Sequence, residues 1–269
     1  MKKMILSTGL ALGAMTSPVK AQLQTDSLAA TVKDSFHLEI KPAPAPAFRT
    51  TATGLVVPVV MIGYGVAALR WHPLSDLNHS TNKEIQEDHS GFHTTVDSYL
   101  QFAPAAAVYV LNAAGVHGKH NFRDRTIILG ISAVFTAGSV ELVKHASHET
   151  RPDGSDNLSF PSGHTATAFA TAEFLRQEYK DVSPWYGIAG YAAATATGAL
   201  RMYNNKHWFS DVVAGAGFGI LSTKAAYWVY PWIQRKLFRD TNKHASTVIL
   251  PYYNTQWHSA GLSIAFFGR

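Results

Sequence analysis

The sequence predicts an all-α protein, a bundle of about six helices with a short β-prone tail. Two observations carry this expectation. Apolar stretches of helical length recur from about residue 53 to about residue 235, and no strand-like alternation interrupts them. The tail then changes character. Thr247-Val248-Ile249-Leu250 and the run from Leu262 to Phe267 are rich in β-formers and are separated by turn-like residues, which predicts a small C-terminal hairpin. A chain of 269 residues is ample for a sizeable core, and with no cysteine it has neither disulfides nor thiolate metal sites.

In chain order, residues 1–21 read as a secretory signal. Lys2 and Lys3 form its charged start, Met4 to Met15 its apolar run, and Val19-Lys20-Ala21 its small-residue cleavage site. The run is short for a bilayer span, which favours cleavage over an uncleaved anchor. Residues 22–50 are polar and then proline-rich at Lys41-Pro42-Ala43-Pro44-Ala45-Pro46, the composition of an extended lead-in. A helical domain is expected over 51–240 and a separate tail over 241–269. The first helix falls at about 53–70, with no charge between Thr53 and Leu69. A polar segment from about 71 to 96, rich in His, Asp and Glu, has room for a short helix. The other five helices are expected at about 97–116, 124–147, 163–179, 184–202 and 208–235.

Charge excludes one partner class. Lys and Arg number 23 against 18 Asp and Glu, for a net charge of +5 and a pI near 9.3. Three of those cations, Lys2, Lys3 and Lys20, lie in the first 21 residues, which carry no acid, so the remainder is only mildly basic. No basic run or aromatic-interleaved stripe points to nucleic acid. A membrane is the expected neighbour instead, although Glu141, Glu173, Arg176 and Lys224 interrupt the apolar stretches and mean hydropathy is only −0.02. Cations follow the second, fourth and sixth helices: Lys119, Arg123 and Arg125; Arg176 and Lys180; Arg235, Lys236 and Arg239. If all six helices spanned, the positive-inside rule would place those ends in the cytoplasm. That topology starts the first helix inside, whereas a cleaved signal starts it outside. Both cannot hold with six complete spans: either the signal is an uncleaved anchor, or some helices only dip into or lie against the membrane, or the domain is a periplasmic bundle. The favoured expectation is an exported, membrane-associated protein whose site faces the periplasm.

Candidate functional residues concentrate between Lys144 and Asp211. Lys144, Arg151 and Arg201 are three cations of the kind a phosphate dianion requires, Arg gripping two oxygens and Lys acting as a point charge. Pro161-Ser162-Gly163 precedes an Ala- and Thr-rich helix, and the free N–H groups of a helix N-terminus form an anion site. His207 and Asp211 stand at i and i+4 and share a helix face, so the carboxylate can hold one imidazole nitrogen and leave the other free to attack. His164 is a second histidine, available to protonate a leaving group. Taken singly, each residue has a plainer role: a cation at a helix end serves the dipole, and a Ser before a helix is a cap. Their joint spacing makes the plain roles improbable. His145 and His148 fall inside the first cluster but off its matching positions, and are placed at the pocket rim.

These clusters resemble the three-part signature of the type 2 phosphatidic acid phosphatase (PAP2) superfamily, KxxxxxxRP, PSGH and SRxxxxxHxxxD. Lys144, Arg151 and Pro152 match the first part, Pro161 to His164 the second, and Arg201, His207 and Asp211 the third. Leu200 stands where the family usually has Ser, a departure at a supporting position. The resemblance spans about residues 95–235. It implies a PAP2-like helical bundle acting as a phosphatase without metal or other cofactor. In that scheme His207 attacks phosphorus to form a phosphohistidine, Asp211 orients it, and His164 protonates the departing alkoxide. Lys144, Arg151 and Arg201, with Ser162 and Gly163, hold the phosphoryl oxygens. The implied partner is a phosphorylated lipid or a small phosphate ester. Two alternatives share the scaffold, a vanadium-dependent haloperoxidase and a soluble periplasmic acid phosphatase. A non-enzymatic membrane protein is disfavoured because every charged or histidine position of the signature is filled.

Overall fold

The computed structural model of the protein describes residues 52–237 together with strands at 246–254 and 259–267. The expected signal at 1–21 and lead-in at 22–50 lie outside the described residues. The chain divides into two compact units, the larger comprising residues 47–235. In the other, β1 (Ser246–Asn254) and β2 (Ser259–Phe267) pair antiparallel, with Ser246 opposite Phe267 and Asn254 opposite Ser259.

The described residues form eight helices, not about six: α1 (Ala52–Ala68), α2 (His72–Asp88), α3 (Val96–Leu100), α4 (Ala103–Ala113), α5 (Phe122–Ser147), α6 (Gly163–Tyr179), α7 (Pro184–Tyr203) and α8 (Phe209–Leu237). The two extra elements have local causes. The polar segment after α1 is a full helix, α2, with Pro73 in its first turn, where a missing N–H costs nothing. Polar contacts help to hold it: Asn78 exchanges hydrogen bonds with Ser210 through Nδ2 to Oγ (2.8 Å) and backbone N–H to Oδ1 (3.0 Å). The stretch expected as one helix at 97–116 breaks into α3 and α4. Pro104 sits in the first turn of α4 and cannot donate to a preceding turn, and Gln101 closes α3 by donating from Nε2 to Ser98 O at 2.9 Å.

Caps fix the starts of the helices that matter most. The Asn121 side chain accepts from the Asp124 N–H at 2.9 Å at the head of α5, and Ser162 caps α6. Ser183 caps α7, with Pro184 at its first helical position. The core centres on α6, which buries Phe174 and Tyr179 against Val108 of α4, Ile128 of α5 and Tyr227 and Tyr230 of α8. Buried Ala168, Ala172 and Ala194 join α6 to α7.

Glycines set how close α8 comes to its neighbours. A Cβ at Gly215 would lie 2.6 Å from Ser162 O, and one at Gly219 would lie 2.1 Å from Ala166 O, so α8 packs backbone to backbone on α6. On another face, a Cβ at Gly217 would lie 2.6 Å from Pro58 O of α1. Small residues permit this approach where dispersion and close packing hold helices together.

Two described helices, Phe122–Ser147 and Phe209–Lys236, are long and apolar enough to cross a membrane. At about 1.5 Å per residue each exceeds a hydrocarbon core of about 30 Å. α1 and α2 pass the same test only as a pair, and they meet at a bend of 91°. The α5 surface supports membrane association, with Val134 68% and Leu142 75% exposed. The interrupting charges are reconciled inside the bundle. Glu173 on α6 accepts from Lys224 Nζ of α8 (2.8 Å), Arg176 Nη2 (2.7 Å) and Gln177 Nε2 (2.6 Å), so three of the four pair with one another, with one positive charge in excess. A charge desolvated with its partners is tolerated where a lone one is not. Glu141, the fourth, stays exposed on α5.

Candidate active site

The expected site residues lie on four pieces of backbone that the fold draws together. Lys144 is in the last turn of α5, Arg151 in the loop after it, Ser162, Gly163 and His164 at the head of α6, and Arg201 near the end of α7. His207 and Asp211 flank the start of α8. Backbone bonds stitch these pieces. Ser162 N–H donates to Asp211 O (3.0 Å), Ser159 N–H to Glu149 O (2.9 Å), and Arg151 Nη1 to Lys206 O (3.3 Å). Trp208 adds a bond from Nε1 to Thr150 O at 2.9 Å, so the loop before α8 is pinned to the loop before α6.

His207 is buried, with Nδ1 3.4 Å from Asp211 Oδ2 and 3.5 Å from Ser159 Oγ. Asp211 is buried as well. Its Oδ2 accepts from Ser159 Oγ at 2.5 Å and from the Trp208 N–H at 2.9 Å, while Oδ1 has no partner among the described residues. Two donors thus fix the carboxylate that faces Nδ1, and Nε2 is left without a partner among the described residues. Burial, followed by the fields of Arg201, Lys144, Arg151 and His164, pushes the His207 imidazole well below its ordinary 6.5. The ring is therefore neutral at neutral pH, with a lone pair to offer. His164 is half-buried, 3.5 Å from Ser98 Oγ through Nε2. Burial and Arg201 lower its pKa too, and Asp97 opposes them.

The cations are differently engaged. Lys144 is buried and donates to Leu158 O at 2.5 Å. Arg151 donates from Nε to Asp156 Oδ1 at 2.7 Å, and this pair holds the carboxyl below the usual range. Arg201 donates from Nη1 to Asp97 Oδ2 at 2.7 Å, while its Nε is buried without a partner among the described residues. Ser162 is fully buried, and its Oγ accepts from Thr165 Oγ1 at 2.9 Å. A Cβ at Gly163 would lie 3.9 Å from Lys144 Cε, which brings the head of α6 beside the end of α5. His145 and His148 do not join the site. His145 bonds its own helix at Glu141 O (2.8 Å), and His148 ends α5 in the left-handed conformation with φ 51°.

Three residues at the site were not picked out from the sequence. Ser159 orients Asp211, and Asp97 and Ser98 of α3 reach Arg201 and His164. Asp97 had one signal, as the single charged residue in an apolar stretch at 96–116. Ser159 had none.

Residues 125–235 match the PAP2 superfamily model, which covers less than half of the chain. A curated relative, the lipid A 1-phosphatase of Porphyromonas gingivalis, is 39% identical over 150 residues. That match takes in 55% of this chain and 33% of the relative, so the chain spans about a third of the length of the relative it matches. Among solved structures, Aquifex aeolicus LpxE has 18% identity and a TM-score of 0.41, covering 54% of this chain and 92% of the other. A transmembrane PAP2 type phosphatidylglycerolphosphate phosphatase from Bacillus subtilis has 20% identity and a TM-score of 0.47, covering 68% and 98%.

Proposed function

We propose that the protein is a metal-independent lipid phosphatase that removes a terminal phosphate, as monoester or diphosphate, from an envelope lipid through a phosphohistidine intermediate. One observation carries the reading: a buried neutral imidazole, His207, sits against a fixed carboxylate and within the field of three cations. The match of residues 125–235 to the PAP2 superfamily model and the likeness to a lipid A 1-phosphatase support it.

In the mechanism, Nδ1–H of His207 donates to Asp211 and Nε2 attacks phosphorus in line with the leaving oxygen. The P–O bond to the alcohol breaks, and His164 gives its proton to the departing alkoxide. Lys144, Arg151 and Arg201 then balance the charge that gathers on the equatorial oxygens, work that is mainly positioning and electrostatics. His164, now neutral, takes a proton from water, whose oxygen attacks the phosphohistidine and releases phosphate and free His207. The site faces the periplasm in this reading, and the protein reaches it by export. The test is phosphate release across a panel of lipid monophosphates and diphosphates, with rapid quench of labelled substrate. A label on His207 is expected; release without any trapped phosphohistidine would reject the intermediate, and no release from any lipid would reject the substrate class.

A further inference from the structure

Asp97 is almost fully buried and comes from α3, outside the segment that matches the superfamily. Burying a carboxylate is unfavourable unless a cation meets it, and the cation that meets it is Arg201, at 2.7 Å. The contact uses only Nη1, while the buried Nε has no acceptor among the described residues. An unpaired buried donor is costly and marks a group that a ligand can satisfy. The next residue, Ser98, stands 3.5 Å from His164 Nε2, so consecutive residues of α3 touch two groups of the site.

We propose that Asp97 is a positioning residue, which holds the Arg201 guanidinium in the orientation that the transition state requires and supplies negative charge beside His164. The inference rests on the phosphatase reading above. The charged and titratable groups acting on His164 are Arg201 of α7, Arg151 of the loop after α5, Lys144 of α5 and His207 before α8, with Asp97 of α3 against them. Arg201, Arg151 and Lys144 disfavour the protonated ring, and Asp97 favours it. Without the Asp97 charge the ground-state phosphate still finds its cations, but Arg201 loses its fixed direction and His164 loses its counterweight.

Full-length protein in detergent micelles tests this through two anions, inorganic phosphate for the ground state and orthovanadate for the five-coordinate state. In Asp97→Asn, vanadate affinity is expected to fall roughly tenfold while phosphate affinity holds or improves. The alkaline limb of kcat/KM should move to lower pH, with kcat reduced and KM unchanged or smaller. Asp97→Glu should recover part of both effects, and Asp97→Asn should add nothing to the vanadate-to-phosphate ratio in an Arg201→Ala background. Parallel changes for the two anions, or an unmoved limb, would overturn the proposal; so would a failure of both Asp97 variants to fold, which would make the pair a folding element. If the wild type binds vanadate but releases no phosphate, the phosphatase reading falls and the affinity ratio still decides the role of Asp97. If the wild type binds neither anion, both fall.

Discussion

Gly219 offers a measure of how strictly helix packing sets the site. A Cβ there would stand 2.1 Å from Ala166 O and 2.8 Å from Ala170 N, both backbone atoms of α6 that cannot rotate away. A carbon–oxygen contact needs about 3.3 Å, so Gly219→Ala forces α6 and α8 apart by about 1 Å at that level. The two helices carry the two halves of the proposed chemistry, Ser162 to His164 at the start of α6 and Asp211 in the first turn of α8. The 3.0 Å bond from Ser162 N–H to Asp211 O is the link that such a shift stretches. Overpacking of this kind costs about 1–3 kcal/mol. A 1 Å displacement of reacting groups costs up to about 10²-fold in rate. Gly219→Ala should therefore fold with a lowered thermal midpoint and lose about 10²-fold in kcat, with KM moving less. Gly130→Ala on α5 is the control, since nothing lies within 4 Å of its Cβ. It should keep full activity and gain about 0.5–1 kcal/mol, because Gly is a poor helix residue. Phosphate release and thermal unfolding in the same micelles read both variants. Wild-type kcat and an unchanged midpoint for Gly219→Ala would show that this contact does not position the site.

Three further outcomes follow from the same geometry. His207 must be neutral to attack and His164 protonated to act as acid, and both have depressed pKa values in the free protein. The acid limb of kcat/KM should thus lie well below 6.5 and the alkaline limb also below 6.5; a bound dianion stabilises His164–H⁺, so the alkaline limb of kcat should lie higher. An alkaline limb of kcat/KM above 6.5, after correction for ionisation of the substrate, would contradict the assignment. His207→Ala should abolish turnover of every substrate, whereas His164→Ala should lose far more on an alkyl phosphate than on p-nitrophenyl phosphate, with the gap bounded at roughly 10²–10⁴-fold. Equal losses on both substrates would refute that division of labour. Activity should survive EDTA, because side chains supply the positive charge; rescue of lost activity by one particular divalent ion would reject the metal-independent mechanism.

Much of this arrangement was legible in order along the chain. α6 falls on the expected 163–179, and α7 and α8 lie within two residues of expectation, because caps and long apolar runs are local signals. The three-part signature likewise proposed the site residues, whose backbone pieces the fold draws together. The count of helices was less legible. α2 is mostly polar and is held in part by partners such as Ser210 that lie 132 residues away in sequence. The break at Gln101 divided a stretch whose composition is continuous.

Local chemistry thus fixed residue types, helix starts and motif spacing, because each depends on neighbours within a few turns. Pairing across the bundle depended on packing. Glu173, Arg176 and Lys224 read as three charges that spoil apolar helices, and both cations meet the one carboxylate only when α6 and α8 lie side by side. Asp97, which drew no reading from the sequence, holds Arg201, a partner 104 residues further on. A buried polar group takes its meaning from whatever desolvates and pairs with it, and that partner is chosen by the tertiary fold.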